Sequence, residues 1–151
     1  MRAMTPKIIP MKRSHIPACE DIVSVSEPWK TLREGVDFPS AIRQKQAHVA
    51  VIEGAVAGFV ICNPEPVFAR GGYLRAIGVA PAIRGFGLGR RLLEFAERST
   101  SKKAKNLYLC VSSFNKIGQA FYRGCGYGKV GKIDGLIRKN AAEIIFWKKL
   151  R

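Results

Sequence analysis

The sequence has no long apolar segment. No run of about 18 apolar residues, the length that would span a membrane as a helix, occurs anywhere in it. Residues 1–7 also lack the apolar core of a secretory signal. We therefore expect a soluble, cytoplasmic protein.

Cysteine and histidine are scarce, with 4 and 2 residues respectively. No two cysteines have Cys-x-x-Cys spacing, so a zinc site is disfavoured and we predict no metal. Reduced thiols are the expected state. Cys125, between Gly124 and Gly126, is interpreted either as a reactive thiol or, preferably, as a small residue that fills a helix end.

Acidic residues are few: 11 Asp and Glu stand against 26 Lys and Arg, a net charge of +15. Residues 1–75 hold 10 basic and 7 acidic residues, whereas residues 76–151 hold 16 and 4. The positive charge is thus concentrated in the second half. This asymmetry favours an anionic ligand or partner for that half.

The length of 151 residues and the hydrophobic content of 47% indicate one globular domain, residues 1–151. Strand patterns are expected at Lys7–Pro10, at the hairpin 47–61 that turns at Glu53-Gly54, and at 73–79 and 107–111. A final antiparallel pair is expected at 128–133 and 142–148. Helices are expected at 14–26 with Ser14 as cap and at 38–46. Two more are expected, one opened by the glycines of residues 84–89 and one that begins after Asn115. Residues 62–71, with two prolines, are predicted to form a loop.

The most informative segment is Arg84-Gly85-Phe86-Gly87-Leu88-Gly89, between an apolar strand and an apolar-faced helix. Its glycines leave backbone N–H groups uncovered. A helix start adds unpaired donors and the positive end of the helix dipole. Together these predict a site for a phosphate or pyrophosphate.

Two familiar phosphate loops do not fit this segment. The dinucleotide fingerprint needs a glycine at the sixth place, but Arg90 or Leu92 stands there in the two registers. The nucleoside-triphosphate loop needs Ser or Thr after Gly-Lys. Val130 and Ile133 occupy that place in the two Gly-Lys pairs.

The segment instead fits Arg84-x-x-Gly87-x-Gly89 and resembles the signature of the GNAT superfamily of acyl-coenzyme A N-acyltransferases. A second block, Asn115 to Tyr122 closing with Gly126-Tyr127, is similar to that family's Asn-x-x-Ala-x-x-Phe-Tyr segment. The resemblance is strong over about residues 70 to 130. It implies a mixed α/β fold with a central, mostly antiparallel sheet and helices on both faces.

The resemblance implies an N-acetyltransferase that uses acetyl-CoA as co-substrate. Strand backbone would hold the pantetheine arm, and the glycine turn would hold the pyrophosphate, with Arg84 mainly framing the turn. Asn115 would contact the cofactor arm or cap its helix, and the backbone N–H near Val79 would stabilise an oxyanion. Tyr122 would be the general acid that protonates the departing sulfur. Cofactor-binding residues are expected to be Ile77, Gly78, Val79, Arg84, Gly85, Phe86, Gly87, Leu88, Gly89, Arg90 and Asn115.

The general base is not evident, because strand 73–79 has only Tyr73 and Arg75 as polar side chains. Glu34, Glu65 and His48 are candidates by position, or a water chain acts instead. The acceptor is open between a peptide or protein amine and a small amine.

Residues 20–37 carry a net charge of −3, and we hypothesise that their carboxylates draw a cationic amine. A solvated helix face explains the same charges. In a different class of function, the chain would be a basic RNA- or ribosome-binding module that keeps the fold without activity.

Overall fold

The computed structural model describes residues 5–151, which form one seven-stranded sheet with helices on both faces. In chain order the strands are β1 (Lys7–Pro10), β2 (Ala47–Ile52), β3 (Ala55–Phe68), β4 (Gly71–Val79), β5 (Asn106–Ser112), β6 (Gly128–Asp134) and β7 (Ala142–Lys149). The α-helices are α1 (Ile16–Ser24), α2 (Trp29–Leu32), α3 (Phe38–Arg43), α4 (Leu88–Ser101) and α5 (Lys116–Gly124). Short 3₁₀ helices lie at Arg13–His15 and Pro81–Ile83.

The spatial strand order is β1-β2-β3-β4-β5-β7-β6, and every adjacent pair is antiparallel except β4 and β5. The mixed, mostly antiparallel α/β fold expected from the sequence is therefore confirmed. The parallel pair is short, with partners only from Gly71↔Asn106 to Leu74↔Leu109. Beyond that point β4 and β5 have no pairing with each other.

A bulge lies where this pairing ends. On the β3 side, Ile61 is opposite Ala76 but Cys62 is opposite Leu74, so Arg75 is the additional residue in β4. Bulges bend a strand and increase its local twist. The bulge at Arg75 thus accompanies the separation of the two central strands.

Each face of the sheet has its own apolar core. Helices α4 and α5 cover one face, where the fully buried Leu92, Leu107 and Phe146 belong to one cluster. Helices α1 to α3 cover the β1–β4 half of the other face, where Phe38 and Phe59 meet edge to face at 5.1 Å. This second cluster contains no residue of β5, β6 or β7. The face opposite α4 and α5 is therefore without a helix over those strands.

Two predictions for the first half of the chain are wrong. Residues 62–68 continue β3 rather than forming a loop, and the chain turns at Ala69-Arg70, which both have positive φ. The prolines fit because the ladder is interrupted between Asn63 and Phe68, so Pro64 and Pro66 need no N–H there.

The first helical segment also differs from the prediction. Ser14 lies inside a 3₁₀ turn rather than capping a helix, and α1 begins at Ile16 with Pro17 in its first turn. The four-residue α2 was not predicted. Within residues 5–151 no helix combines the length and the apolar character needed to cross a membrane.

Candidate active site

The turn before α4 presents a row of unpaired backbone donors. No acceptor within residues 5–151 takes the N–H groups of residues 85 to 90, whereas the next one, that of Arg91, bonds the Gly87 carbonyl at 3.2 Å. Gly87 is the N-cap residue of α4 and has no side chain to satisfy them. The turn therefore fits a phosphate group that accepts several hydrogen bonds.

The glycines are required here for backbone conformation. Gly85 has φ 87° and Gly87 has φ 84°, a region that L side chains rarely adopt. A Cβ at either position would meet no heavy atom within 4 Å, so the space next to both is open. Of the other predicted residues of the turn, Phe86 is exposed and Leu88 has its side chain in the core.

The Arg84 side chain stabilises the position of the turn through two hydrogen bonds. Its Nε donates to the Val79 carbonyl at 3.1 Å, and its Nη2 donates to Ser26 Oγ at 2.7 Å. Arg84 thus connects the turn to the end of β4 and to the segment after α1. This agrees with the expectation that Arg84 frames the loop.

The backbone of Ile77 and Val79 faces the gap between β4 and β5. The N–H of Ala80 bonds the Ala57 carbonyl on β3, and backbone groups alternate in direction along a strand. Ile77 and Val79 therefore direct theirs away from β3, while Gly78 directs its own toward β3. An extended ligand can pair with this edge as a missing strand would.

Helix α5 borders the gap on the α4 side. Asn115 caps it, with Oδ1 accepting from the Gly118 N–H at 2.9 Å, so the predicted capping role is confirmed. The family pattern has alanine where this chain has Gly118. A Cβ there would lie 2.5 Å from Asn115 Nδ2, so the glycine accommodates the cap.

Phe121 and Tyr122 extend from α5 toward α4. A Cβ on Gly89 would lie 3.4 Å from the Phe121 ring, and the Phe121 and Tyr122 rings are 5.0 Å apart. Arg90 Nη2 donates to the Gly124 carbonyl at 3.3 Å. The glycine turn and α5 are therefore in direct contact.

The Tyr122 hydroxyl is protonated and available. Burial, and then the charge of Cys125, raises its pKa above the ordinary 10.0. The Tyr122 hydroxyl makes no hydrogen bond within residues 5–151. Every fully buried side-chain oxygen of these residues does make one. The hydroxyl oxygen is therefore not fully buried, so a bound ligand can contact it.

The candidate bases suggested by the sequence lie elsewhere. Glu34 lines a depression beside α1 and α2 together with Lys30 and Arg33. Glu65 is exposed and forms an ion pair with Lys103. The His48 ring packs against the Phe95 ring on the α4 face, with centroids 4.6 Å apart and tilted by 56°, and burial lowers the pKa of His48. The structure does not bring these side chains together at the gap.

Glu143 is the carboxylate that sequence reasoning missed. It is 8% exposed on β7, and its Oε2 accepts from Ser112 Oγ at 2.6 Å, where β5 has separated from β4. Its Oε1 has no partner in the described chain and is therefore not fully buried. Its negative charge contributes to raising the pKa values of Tyr73 and Cys110.

A buried amide supports the same corner. Gln119 of α5 donates through Nε2 to the carbonyls of Ser113, at 3.0 Å, and Ser112, at 3.3 Å. Ser113 Oγ in turn accepts from the Ala142 N–H at 3.0 Å. These bonds hold the ends of β5, β7 and α5 together around Glu143.

On the face opposite α4 and α5, a cleft of about 510 Å³ lies over the sheet beside the gap. Side chains of β3, β4 and β5 form its floor, including Tyr73, Arg75, Tyr108 and Cys110. The gap therefore separates two accessible sides, one with the glycine turn and one with this cleft. Such an arrangement allows two substrates to meet from opposite faces.

Two of the five carboxylates in the acidic segment 20–37 are engaged in local contacts. Both oxygens of Glu27 bond Thr31, and Asp37 caps α3 by accepting from the Ser40 N–H at 3.0 Å. These local contacts explain the presence of two of the carboxylates without a role in drawing an acceptor amine.

The structure describes all four cysteines as free thiols, and Cys125 is buried. Burial raises the pKa of the Cys125 thiol, which fits the preferred interpretation of a small filler residue. Residues 5–151 contain no group of three or more histidine, cysteine or acidic side chains placed to hold a metal ion.

Comparison with known proteins agrees with this geometry. The chain is 38% identical over 88 residues to a protein of Pseudomonas phage PaMx11 named 5-NmdU N-acetyltransferase. That match covers 58% of this chain and 61% of the relative, so the chain spans less than two thirds of the relative's length.

Two solved structures share the fold. Ard1 from Thermoplasma volcanium superposes with a TM-score of 0.81 at 16% identity, covering 95% of this chain and 97% of that one. Arabidopsis thaliana Naa50, in complex with the bisubstrate analogue CoA-Ac-MVNAL, has a TM-score of 0.76 at 19% identity, covering 95% and 98%.

The model of the acetyltransferase (GNAT) family matches residues 14–127. That range includes the glycine turn, both strands of the gap and α5. The chain therefore belongs to the GNAT family of acetyltransferases.

Proposed function

We propose that this protein transfers the acetyl group of acetyl-CoA to a primary amine, by direct attack of the amine in a ternary complex. One observation carries the proposal: the unpaired N–H groups of residues 85–90 lie next to the unpaired edge of β4. The first fits a pyrophosphate and the second an extended amide-containing arm. Acetyl-CoA supplies both, together with an activated thioester.

The chain's own residues position this co-substrate. Residues 85–90 hold the phosphates through their backbone, and the edge of Ile77 and Val79 holds the arm. The Val79 N–H is directed into the gap, where β4 has no partner strand, so it can stabilise negative charge on the reacting carbonyl oxygen. The +15 charge attracts the anionic co-substrate over a longer range.

Tyr122 is the proposed general acid. Its hydroxyl is neutral because burial raises its pKa, and it has no competing protein partner in the described chain. A neutral phenol beside the gap can give its proton to the departing sulfur. Such assistance typically contributes on the order of 10²- to 10⁴-fold in rate.

Glu143 is the proposed proton acceptor for the amine. Ser112 fixes one of its oxygens, while the other is not fully buried and lies at the point where β4 and β5 separate. It accepts the amine proton through a water molecule, since its own side chain is nearly covered. An amine must lose its proton before it can attack, and this carboxylate makes that step possible near neutral pH.

The proposed reaction requires a primary amine, and it does not by itself distinguish a peptide or protein amine from a small amine or from an amine carried on a larger molecule of another class. The fold neighbour Naa50 was solved with an analogue that includes the peptide MVNAL. The phage relative is named for 5-NmdU instead. The alternative of a basic RNA- or ribosome-binding module without activity is disfavoured, because such a module has no need of the free N–H groups that fit a phosphorylated co-substrate at the turn before α4.

The test is a coupled assay of coenzyme A release over a panel of peptides and amines, with acetyl-CoA binding measured separately. Tyr122→Phe should lower kcat at least about 100-fold and leave the acetyl-CoA dissociation constant unchanged. Tyr127→Phe is the matched control, because Tyr127 lies on the same side but donates to Glu97 at 2.8 Å. Equal kcat for Tyr122→Phe and wild type would remove the proposed acid.

A further inference from the structure

The cleft opposite α4 and α5 has a composition that selects among acceptors. Beside Tyr73, Arg75, Tyr108 and Cys110 of its floor, it is lined by Phe68 and by three side-chain amides. The amides are those of Gln44, Gln46 and Asn63.

The aromatic rings form two walls at an angle. Phe68 is 66% exposed and meets Tyr108 edge to face, with centroids 5.8 Å apart and an interplanar angle of 74°. The Tyr108 hydroxyl donates to the Ala69 carbonyl at 3.1 Å, which fixes its ring. Exposed aromatic faces of this kind stack with planar rings.

The charge in the cleft is of one sign. Arg75 is the charged residue of the lining, and it has no ion pair or hydrogen bond to another side chain of residues 5–151. Among the described residues, no aspartate or glutamate lines the cleft. A phosphate group next to the acceptor amine would pair with the Arg75 guanidinium, whereas a lysine side chain or a free peptide N-terminus brings no such group of its own.

The amides provide hydrogen-bonding edges. The side chains of Gln44 and Gln46 make no hydrogen bond within residues 5–151, whereas Asn63 Oδ1 already accepts from the Glu65 N–H at 3.1 Å. Amide side chains can bond the edge of a nucleobase in pairs of donor and acceptor. A planar ring with such an edge, next to a phosphate, satisfies the aromatic walls, the amides and Arg75 together.

We propose that the acceptor amine is carried on an unpaired nucleobase of a nucleic acid strand. This inference rests on the proposed acetyl transfer and names its substrate class. The base stacks against Phe68 and Tyr108, Arg75 contacts a neighbouring phosphate, and the amine points past Cys110 into the gap. The base must lie outside a duplex stack to enter the cleft.

The transfer balances without a further reactant. The amine lone pair attacks the acetyl carbonyl carbon, a nitrogen–carbon bond forms and the carbon–sulfur bond breaks. Tyr122 gives its proton to the departing sulfur. The ammonium form of the acceptor gives one proton to Glu143 before the neutral amine attacks. The nitrogen gives a second proton to the Tyr122 phenolate as the amide forms, so that only the proton on Glu143 passes on to solvent.

The test compares four acceptors in the assay of coenzyme A release, with mass spectrometry of the products. They are a 12-nucleotide DNA strand with one 5-aminomethyluracil, the matching RNA strand, the free nucleoside of that base, and a peptide with a free N-terminus and one lysine. We expect kcat/KM for one or both strands to be at least about tenfold above the nucleoside and the peptide. It should also fall as salt concentration rises. The two strands distinguish DNA from RNA as the source.

Arg75→Gln should raise KM for the preferred strand at least about tenfold without changing kcat or acetyl-CoA binding. Arg98→Gln is the control, since Arg98 is an exposed arginine on α4, on the other face of the sheet. Preference for the peptide, or equal use of strand and nucleoside, would overturn the nucleic acid proposal and leave acetyl transfer intact. Absence of acetyl-CoA binding in the wild type would instead overturn the proposed function.

Discussion

Arg84 and Ser26 are 58 residues apart in the chain, yet Arg84 Nη2 donates to Ser26 Oγ at 2.7 Å. Ser26 is 7% exposed, and its hydroxyl also donates to the Ile22 carbonyl. The bond therefore connects the glycine turn to the end of α1. The position of the glycine turn therefore depends on α1, which covers the opposite face of the sheet from α4.

Ser26→Ala tests this connection. Loss of a hydrogen bond to a charged group should lower the free energy of unfolding by about 1 to 2 kcal/mol and weaken acetyl-CoA binding severalfold. Urea unfolding and calorimetry measure the two effects. Ser24→Ala is the control, because Ser24 Oγ bonds only the Asp21 carbonyl nearby. Unchanged acetyl-CoA affinity in Ser26→Ala would show that the turn holds its shape without this bond.

Glu143→Gln should lower kcat about 100-fold at neutral pH, because the amide cannot accept the amine proton. Acetyl-CoA affinity should not change. The rate of the variant should recover as pH rises, since the acceptor then loses its proton to solvent. Glu65→Gln is the control, as Glu65 is exposed and pairs only with Lys103. A wild-type rate for Glu143→Gln across the pH range would exclude Glu143 as the proton acceptor.

The raised pKa values of two buried thiols predict that the free energy of unfolding falls above pH 9. Burial raises the pKa of Cys19 to about 12 and that of Cys62 to about 11, from an ordinary 9.0. Below pH 9 both states keep these protons, but above it the unfolded chain releases them while the folded chain does not. The free energy of unfolding should therefore fall by on the order of 1 kcal/mol per thiol for each pH unit above 9.

Urea unfolding between pH 8 and pH 10 measures this dependence. Cys62→Ala lowers the stability at pH 8 because it leaves a cavity, but it should make the pH dependence shallower. Burial also raises the pKa values of Tyr73, Tyr122 and Tyr127 above the ordinary 10.0, and these tyrosines add to the slope near pH 10 in both proteins. The difference in slope between the two proteins therefore isolates Cys62. The same slope in Cys62→Ala as in wild type would contradict the assignment.

The parts of the site that sequence could predict are local. The glycine turn and the Asn115 cap lie within single turns of chain, where residue type and spacing determine conformation. The strands at 47–61 were predictable from alternation and a Glu53-Gly54 turn. The extension of β3 was not, because its two prolines indicate a loop unless the interruption in the ladder is known.

The remaining site residues depend on register. Glu143 meets Ser112 only because β5 and β7 pair with those two residues opposite each other. Tyr73 lies beside Tyr108 because the short parallel pairing of β4 and β5 aligns them. Sequence separations of about 30 residues leave such pairings undetermined, since a shift of one residue would move every side chain to the other face. The cleft and the candidate base were therefore visible only in the folded chain.

The central claim is that the turn before α4 binds acetyl-CoA, and calorimetric titration of acetyl-CoA tests it most directly. Gly87→Glu places a carboxylate next to the free N–H groups, and Gly54→Glu is a closely matched control. Gly54 has φ 81° against 84° for Gly87, both have open space around a Cβ, and Gly54 lies in a remote hairpin turn. We predict that wild type and Gly54→Glu bind alike and that Gly87→Glu binds at least about 100-fold more weakly. Equal binding by all three proteins, or none by the wild type, would contradict the account.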